Sequence, residues 1–428
     1  MGNLPEFLPE AYLDSLGRFG VQLGLERMAS LLTVLEEPQR GIPVIHVAGT
    51  NGKGSVCALL SHVLMAAGLR VGRYTSPHLV DWRERIWVRG EWISAADWQR
   101  VLQEVREALT HYPPEVEPPT QFEVVTAAAW LYFRQQAVDC AVLEVGLGGR
   151  LDATNVGIDS CLSLVTSIGW DHWQRLGNSL AAIAFEKAGI LRPHVPAISG
   201  PQVPEVLTVL QQQAIERKTP LQVVAAASWE APDRIEWHGR SYRLGLQGDA
   251  QLENGAIALA AIEKLRQVGW QIPEAAVQQG LATVQWPGRL QWSAIGGRKV
   301  LLDGAHNQPA AGCLRRFIDT QFPGQTVTWM VGILSTKDVA GILQTLLRPG
   351  DRLYALPIRD RLACEPSELV KQARRVQPHL ALLESLHSLD ALESTIRMLP
   401  ATAEPIVICG SLYLLGQLMQ HHSFSHSN

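Results

Sequence analysis

Short apolar runs alternate with longer helical stretches along most of the 428-residue chain. Pro43 to Ala48 is a brief apolar run ending at glycines, which predicts a buried strand. A helix over Gly54 to Ala67 closes at Gly68, and Arg70 to Thr75 is the next strand. Ser94 is placed to cap a helix over Ala95 to Leu109, and Thr120 to Gln136 is a further helix after a proline-rich loop. Val138 to Val145 and Cys161 to Ile168 are apolar and β-rich, as central parallel strands must be when both faces are covered. Ser179 to Ala188 reads as a helix. Arg234 to Leu244 alternates around His238-Gly239 and predicts a hairpin. Helices over Leu252 to Val268 and Pro273 to Val284 follow. Trp286-Pro287-Gly288-Arg289 then breaks the pattern. The strand–helix rhythm restarts with Lys299 to Leu302, Thr326 to Gly332, Arg352 to Leu356 and Pro405 to Cys409, with helices from Pro309 and Asp338.

This order predicts an α/β protein: a mostly parallel sheet domain carrying a phosphate loop over residues 1–289, then a smaller Rossmann-like α/β domain over 290–428. Composition narrows the function classes. A hydrophobic share of 46% and a charged share of 18% suit a globular chain with a large core. The net charge is -4 without any Lys/Arg block, so neither nucleic acid nor an acidic membrane surface is expected as partner. The six cysteines are scattered and form no CxxC pair, which suits reduced core thiols. No charged-then-apolar leader opens the chain, and no apolar run reaches the roughly 18 residues that span a bilayer. A cytoplasmic location is expected.

The first chemical signal is Gly49-Thr50-Asn51-Gly52-Lys53-Gly54-Ser55, between the first strand and its helix. Glycines let backbone N–H groups face phosphate oxygens, and the helix N-terminus adds positive potential. Lys53 can bridge the β- and γ-phosphates of ATP. An ordinary Walker loop has Ser or Thr directly after the lysine; here Gly54 intervenes before Ser55. A merely structural glycine turn would not need strand, lysine and helix in this order.

ATP chemistry calls for a hard cation with oxygen ligands, and ligands of open parallel sheets gather at strand C-termini. Ser76, Glu144 and His172 each follow or close such a strand. A carboxylate ending a fully apolar strand is unfavourable unless something binds it. For His172 the residues alone leave a structural histidine and a metal ligand both open. Lys187 lies on a helix with an apolar face and, on its own, reads as a snorkelling surface lysine.

Several segments, in order, resemble the folylpolyglutamate synthase/dihydrofolate synthase family within the Mur-ligase-like amide ligases. They are the loop Gly49 to Ser55, Thr75-Ser76-Pro77-His78-Leu79, the long run Leu143 to Asn155, Thr166 to His172, Glu186 to Ile190, Pro287-Gly288-Arg289 and Asp303-Gly304-Ala305-His306-Asn307. The likeness covers nearly the whole chain. The Leu143 to Asn155 run is the specific one, since the loop alone would fit any Mur-type ligase.

The resemblance implies ligation of L-glutamate to dihydropteroate and to tetrahydrofolate through an acyl phosphate, with ATP and two magnesium sites. Gly49, Thr50, Asn51, Gly52, Lys53, Gly54 and Ser55 would hold the nucleotide phosphates, with Asn254, Arg289 and Asp303 contacting ATP across the domain cleft. Ser76, Glu144 and His172 would be metal ligands. Lys187 matches the family lysine that carries a carbamate, which turns a cation into an oxygen ligand. Lys53, Lys187, His172 and His306 would serve catalysis. Gln22, Leu23, Gly24, Leu25, Thr120, Gln121, Phe122, Glu123, Leu151, Asp152 and Ala153 match segments lining a pterin pocket in bifunctional members. The implied partners are small molecules (dihydropteroate, folates and L-glutamate), and relatives suggest a monomer. The alternatives are a monofunctional member, a peptidoglycan-precursor ligase, or a nucleotide-dependent switch without ligase activity. The chain departs from the family pattern at Gln308 and Glu253, and it lacks the acid that commonly precedes Lys337-Asp338. Trp170 and Trp173 flank His172 more bulkily than usual.

Overall fold

In a computed structural model, the structure describes residues 7–16, 24–360, 362–400 and 404–421. Gln22 and Leu23 lie outside the described residues. The first sheet is built from β1 (Pro43–Ala48), β2 (Val71–Tyr74), β3 (Ile86–Val88), β4 (Glu91–Trp92), β5 (Cys140–Glu144), β6 (Asp159–Val165), β7 (Ala197–Ser199) and β8 (Leu221–Val223). Its order is β4-β3-β2-β5-β1-β6-β7-β8. The six strands from β2 to β8 in that order are parallel, while β3 and β4 add an antiparallel edge. The central strands are buried on both faces, which is why β1 and β5 read as continuous apolar runs. β7 and β8 have three residues each, too short to stand out as apolar runs, and were not foreseen.

The helix Lys53–Ala66 packs on one face of this sheet and beneath two more helices, Ala250–Gln267 and Glu274–Thr283. Covered on both sides, it has no polar stripe. Gly280 stands against the backbone of Val63, so a side chain there would hold the two helices apart. The opposite face carries Ala95–Ala108 and Gln121–Gln135 around the buried Trp98 and Trp130. Ser94 and Thr120 cap these helices as the sequence predicts, and Thr120 with Glu123 completes a capping box.

A small antiparallel sheet follows: β9 (Ser228–Ala231), β10 (Arg234–Trp237) and β11 (Arg240–Arg243). Its hairpin turns at His238 and Gly239, with φ of 50° and 75°, the left-handed pair a tight two-residue turn requires. The last sheet contains β12 (Gln291–Ile295), β13 (Arg298–Leu302), β14 (Thr328–Val331), β15 (Arg352–Ala355), β16 (Leu382–Ser385) and β17 (Ile406–Cys409), in the order β12-β13-β17-β14-β15-β16. All are parallel except β12, which forms a hairpin with β13 through Gly296-Gly297. The apolar pattern opens this sheet at Lys299; β12 lies outside it because Gln291 and Ser293 interrupt any apolar run. Buried Asp351 ties this sheet to its helices. It accepts from Val327 N at 2.9 Å, Trp329 Nε1 at 3.0 Å and Arg348 N at 2.9 Å, and pairs with Arg315 at 3.1 Å. A carboxylate with that many donors is fully compensated in the interior. Among the described residues no helix is long and apolar enough to cross a membrane.

Candidate active site between the two large sheets

The C-terminal ends of β1, β2, β5 and β6 face the start of the second large sheet across a cavity of about 730 Å³. That is ample for a nucleotide with part of an acceptor. Its lining brings together Gly49 to Ser55, Ser76, Glu144, His172 and Lys187 from one side and Arg289, Asp303 and His306 from the other, with Asn254 reaching in from its helix.

The loop after β1 is held from several directions. Thr50 N donates to Ser167 O at 2.8 Å, and Thr50 Oγ1 donates to Gly169 O at 3.1 Å. Thr166 Oγ1 donates to Asn51 O at 2.7 Å. Gly52 has φ of 88° and lies against the Asn254 amide, so both conformation and contact demand glycine. Gly54 packs under Trp286, whose ring would stand 2.8 Å from any added Cβ. The helix starts at Lys53, leaving its first backbone N–H groups facing the cavity. Lys53 Nζ donates to Thr50 O at 3.2 Å and lies 3.9 Å from Glu144 Oε1.

Glu144 is 6% exposed. Ser76 N donates to its Oε2 at 3.1 Å. Burial raises its pKa above the ordinary carboxylate value, and Lys53 only partly opposes this. Such an under-compensated carboxylate, with Ser76 lining the same cavity, is an oxygen donor suited to a hard divalent cation. Among the described residues no group of three or more His, Cys, Asp and Glu could hold a metal. A cation here would therefore draw on Ser76 and on phosphate oxygens as well. The His172 imidazole opens onto the cavity. The surrounding protein and then the Lys337 ammonium push its pKa down to about 4, leaving a neutral ring able to ligate.

Lys187 corrects the reading of its residues alone. It is only 5% exposed, and its Nζ donates to Gly49 O at 2.7 Å. Burial, reinforced by Lys53, pushes its pKa down to about 7. The eight-residue helix Leu180–Lys187 ends under the phosphate loop rather than in solvent, so the lysine has no water to reach.

The two sides of the cavity meet at Asp171. Lys337 Nζ lies 2.7 Å from Asp171 Oδ1, Asn307 Nδ2 donates to Oδ2 at 3.0 Å, and His306 Nε2 lies 3.7 Å from Oδ2. The Asn51 and Asn307 amides donate to each other at 3.0 Å in both directions. Burial alone would raise the Asp171 carboxyl; Lys337, His172 and His306 instead hold it well below the usual range. Asp171, Asn307 and Lys337 enter the sequence analysis only as motif letters, without a role. Their partners lie 256 residues away for Asn51 and Asn307, and 166 for Asp171 and Lys337, so no local pattern could pair them. Trp170 and Trp173, flanking His172, stack on one another at 5.7 Å with planes 17° apart.

Across the cleft, Asp303 accepts from Leu290 N and Ala305 N, each at 2.9 Å, and burial raises its pKa against the pull of Arg289. His306 Nδ1 bonds Gly304 O at 2.7 Å, which leaves Nε2 towards Asp171. Asn254 Nδ2 donates to Gln251 Oε1 at 3.0 Å.

The described residues of the segments matched to a pterin pocket, Gly24, Leu25, Thr120 to Glu123 and Leu151 to Ala153, do not line this cavity. They form a layer behind it. Phe122 packs on Gly146, which does line it, and Asp152 accepts from Leu147 N at 2.8 Å and from Thr154 N at 3.0 Å. Glu123 is occupied by Thr120 N at 2.7 Å and by Arg27 Nε at 3.1 Å, Gln121 Nε2 donates to Leu13 O at 3.2 Å, and Ala153 is buried. Leu25 precedes the helix Glu26–Val34, with Gly24 just before it and Leu151 in the turn after Arg150.

Residues 291–421 match the family model described as "Dihydrofolate synthetase, C-terminal domain". A probable dihydrofolate synthetase of Schizosaccharomyces pombe is 35% identical over 94% of this chain and 98% of its own length. Escherichia coli FolC in complex with DHPP and ADP superposes with a TM-score of 0.82 at 32% identity, covering 96% of each chain. A Yersinia pestis bifunctional folylpolyglutamate synthase/dihydrofolate synthase complexed with AMPPNP and Mn ion gives 0.83 at 30% identity, covering 96% of this chain and 97% of that one. With a glycine-rich loop after β1, a buried carboxylate at its edge and a second α/β sheet across the cavity, the chain belongs to the dihydrofolate synthase/folylpolyglutamate synthase family, ATP-dependent ligases that add glutamate in folate metabolism.

Proposed function

We propose that this ligase is bifunctional, joining L-glutamate both to dihydropteroate and to tetrahydrofolate, and that it works as a cytoplasmic monomer. One observation carries the reading. The phosphate loop with Lys53, Ser76 and Glu144, and the opposing Arg289, Asp303 and His306, share one cavity that Gly146 to Gly148 also line, with the Phe122 and Asp152 layer directly behind them.

A carboxylate resists attack by an amine because hydroxide is a poor leaving group. Transfer of the ATP γ-phosphoryl to an acceptor carboxylate oxygen releases ADP and gives an acyl phosphate. The glutamate amine then attacks the acyl carbon, and phosphate leaves with the electrons of the C–O bond while the amine loses a proton. Lys53 and the helix N-terminus hold the nucleotide phosphates, and the catalytic gain is mainly positioning and charge stabilisation. Ser76, Glu144, His172 and a carbamate on Lys187 are the groups that would hold two magnesium ions, which supply charge neutralisation on the phosphates. Asn254, Arg289 and Asp303 complete the nucleotide site, and contact across Asp171 keeps water from the acyl phosphate.

Supplying ATP, labelled glutamate and either dihydropteroate or tetrahydrofolate tests the reading. Both acceptors are expected to give ADP and labelled product. Labelled product from only one of them would show a monofunctional enzyme.

Support for the Lys187 carbamate comes from its burial and from a pKa near 7, which leaves much of the amine neutral and nucleophilic towards carbon dioxide. The addition gives a carbamate and one proton. Lys187→Ala is expected to lower kcat by about a hundredfold or more, with partial recovery in short carboxylic acids. Wild-type turnover in that variant would remove Lys187 from the metal site.

A further inference from the structure

On the far side of Gly54, the cavity contains a buried arginine that the reaction as described does not use. Arg73 is 4% exposed yet lines the cavity. Its guanidinium lies 4.6 Å from the centre of the Trp87 ring and 4.9 Å from that of Trp286. Nε and Nη1 are buried without a hydrogen-bond partner, and among the described residues Arg73 forms no ion pair. Two indole faces are attractive to a guanidinium but leave its edge donors unsatisfied. A guanidinium kept inside without a hydrogen-bonded counter-ion is costly unless a ligand completes it, and Glu144 supports it only from a distance.

The register fixes where such a ligand would sit. Arg73 pairs with Val142, two residues before Glu144, so Arg73 and Glu144 point to the same face about 7 Å apart along the strand direction. An anion at Arg73 is thus a near neighbour of Glu144 and Lys53, the end of the cavity where the proposed reaction transfers the γ-phosphoryl group. The ATP phosphates already have Lys53 and the loop. Glu144 close by disfavours a second highly charged group. A single planar carboxylate suits the guanidinium edge best.

We propose that Arg73, clamped between Trp87 and Trp286, binds the spare α-carboxylate of acceptors that already carry a glutamyl residue. Dihydropteroate has only the carboxylate that reacts. A folate presents its reacting γ-carboxylate and, a few bonds away, an α-carboxylate. Arg73 therefore sets the balance between the two acceptors, an inference that rests on the bifunctional reading.

Equilibrium affinities for folic acid and pteroic acid, which differ by that glutamyl residue, test this in the wild type, in Arg73→Met and in Arg73→Lys, with melting temperatures taken alongside. Arg73→Met is expected to weaken folic acid at least tenfold, about 1.4 kcal/mol, and pteroic acid less than about threefold. Arg73→Lys is expected to fall between. The melting temperature of Arg73→Met should hold or rise, because an unpaired buried charge has been replaced by an apolar stem. Equal weakening of both ligands, or a drop in melting temperature with an unchanged ratio, would make Arg73 a packing element and overturn the proposal. A loss of inhibition by inorganic phosphate with folic acid affinity intact would overturn it in favour of a phosphate subsite. A wild type that binds folic acid but does not extend tetrahydrofolate would refute bifunctionality while leaving the affinity ratio to decide on Arg73.

Discussion

Lys53→Ala is expected to lower kcat/KM for ADP-forming ligation by about a thousandfold, close to 4 kcal/mol of transition-state stabilisation. The lysine opens the helix beneath the phosphate loop, and its Nζ is 3.9 Å from Glu144 Oε1. Its removal strips positive charge from the transferring phosphoryl group in a site walled by protein, where a single fixed charge is worth far more than in water. It also takes from Glu144 the nearest cation opposing a pKa already raised by burial. The fold should survive, since Lys53 is a cavity-lining side chain whose hydrogen bond among the described residues goes to its own loop. Steady-state kinetics with both acceptors, beside a melting curve, measure this. A loss below tenfold would mean that the loop does not cradle the transferring phosphate.

Asp171→Ala should be nearly as severe, for a different reason. This carboxylate joins the two halves of the site: Lys337 at 2.7 Å and Asn307 at 3.0 Å reach it from the second domain. Removing one partner of a buried pair costs about 3–5 kcal/mol, because the other charge remains buried and uncompensated. Here the stranded charge is Lys337, whose side chain is 10% exposed. The expected result is a kcat lowered about a hundredfold or more with a raised KM for ATP, since in the proposed mechanism closure and nucleotide contact would depend on the same interface. Lys337→Met should be milder, as Asp171 then keeps Asn307. If Asp171→Ala lowers the melting temperature but leaves both kinetic constants alone, the contact is structural and does not govern closure.

The order of elements around the phosphate loop was legible because buried parallel strands write themselves as unbroken apolar runs. β1, β2, β5 and β6 were all anticipated within a few residues. The three-residue β7 and β8 were not, being shorter than the pattern that identifies a strand. Glu144 was readable from its place at the end of an apolar run, where an unbound carboxylate is unfavourable. Lys187 was not readable from its residues, because a helix with one apolar face looks the same whether its lysine meets water or the underside of a loop. The resemblance supplied what periodicity could not. Asp171, Asn307 and Lys337 required the relative placement of two domains, and Arg73 sits inside an apolar strand where no pattern reveals that its donors have no partner.

Gly54, the residue that sets this loop apart from an ordinary Walker loop, has its missing side chain filled by Trp286. Evolution could not exchange the two loop types here one letter at a time. Threonine at 54 collides with the indole unless position 286 has first become small. Trimming Trp286 alone opens a hole over the phosphate helix and removes one wall from Arg73. Each change is harmful without the other, so the two positions constitute a ratchet. A lineage with tryptophan at 286 is held to glycine at 54, and mutational libraries that vary either site alone will report both as immutable.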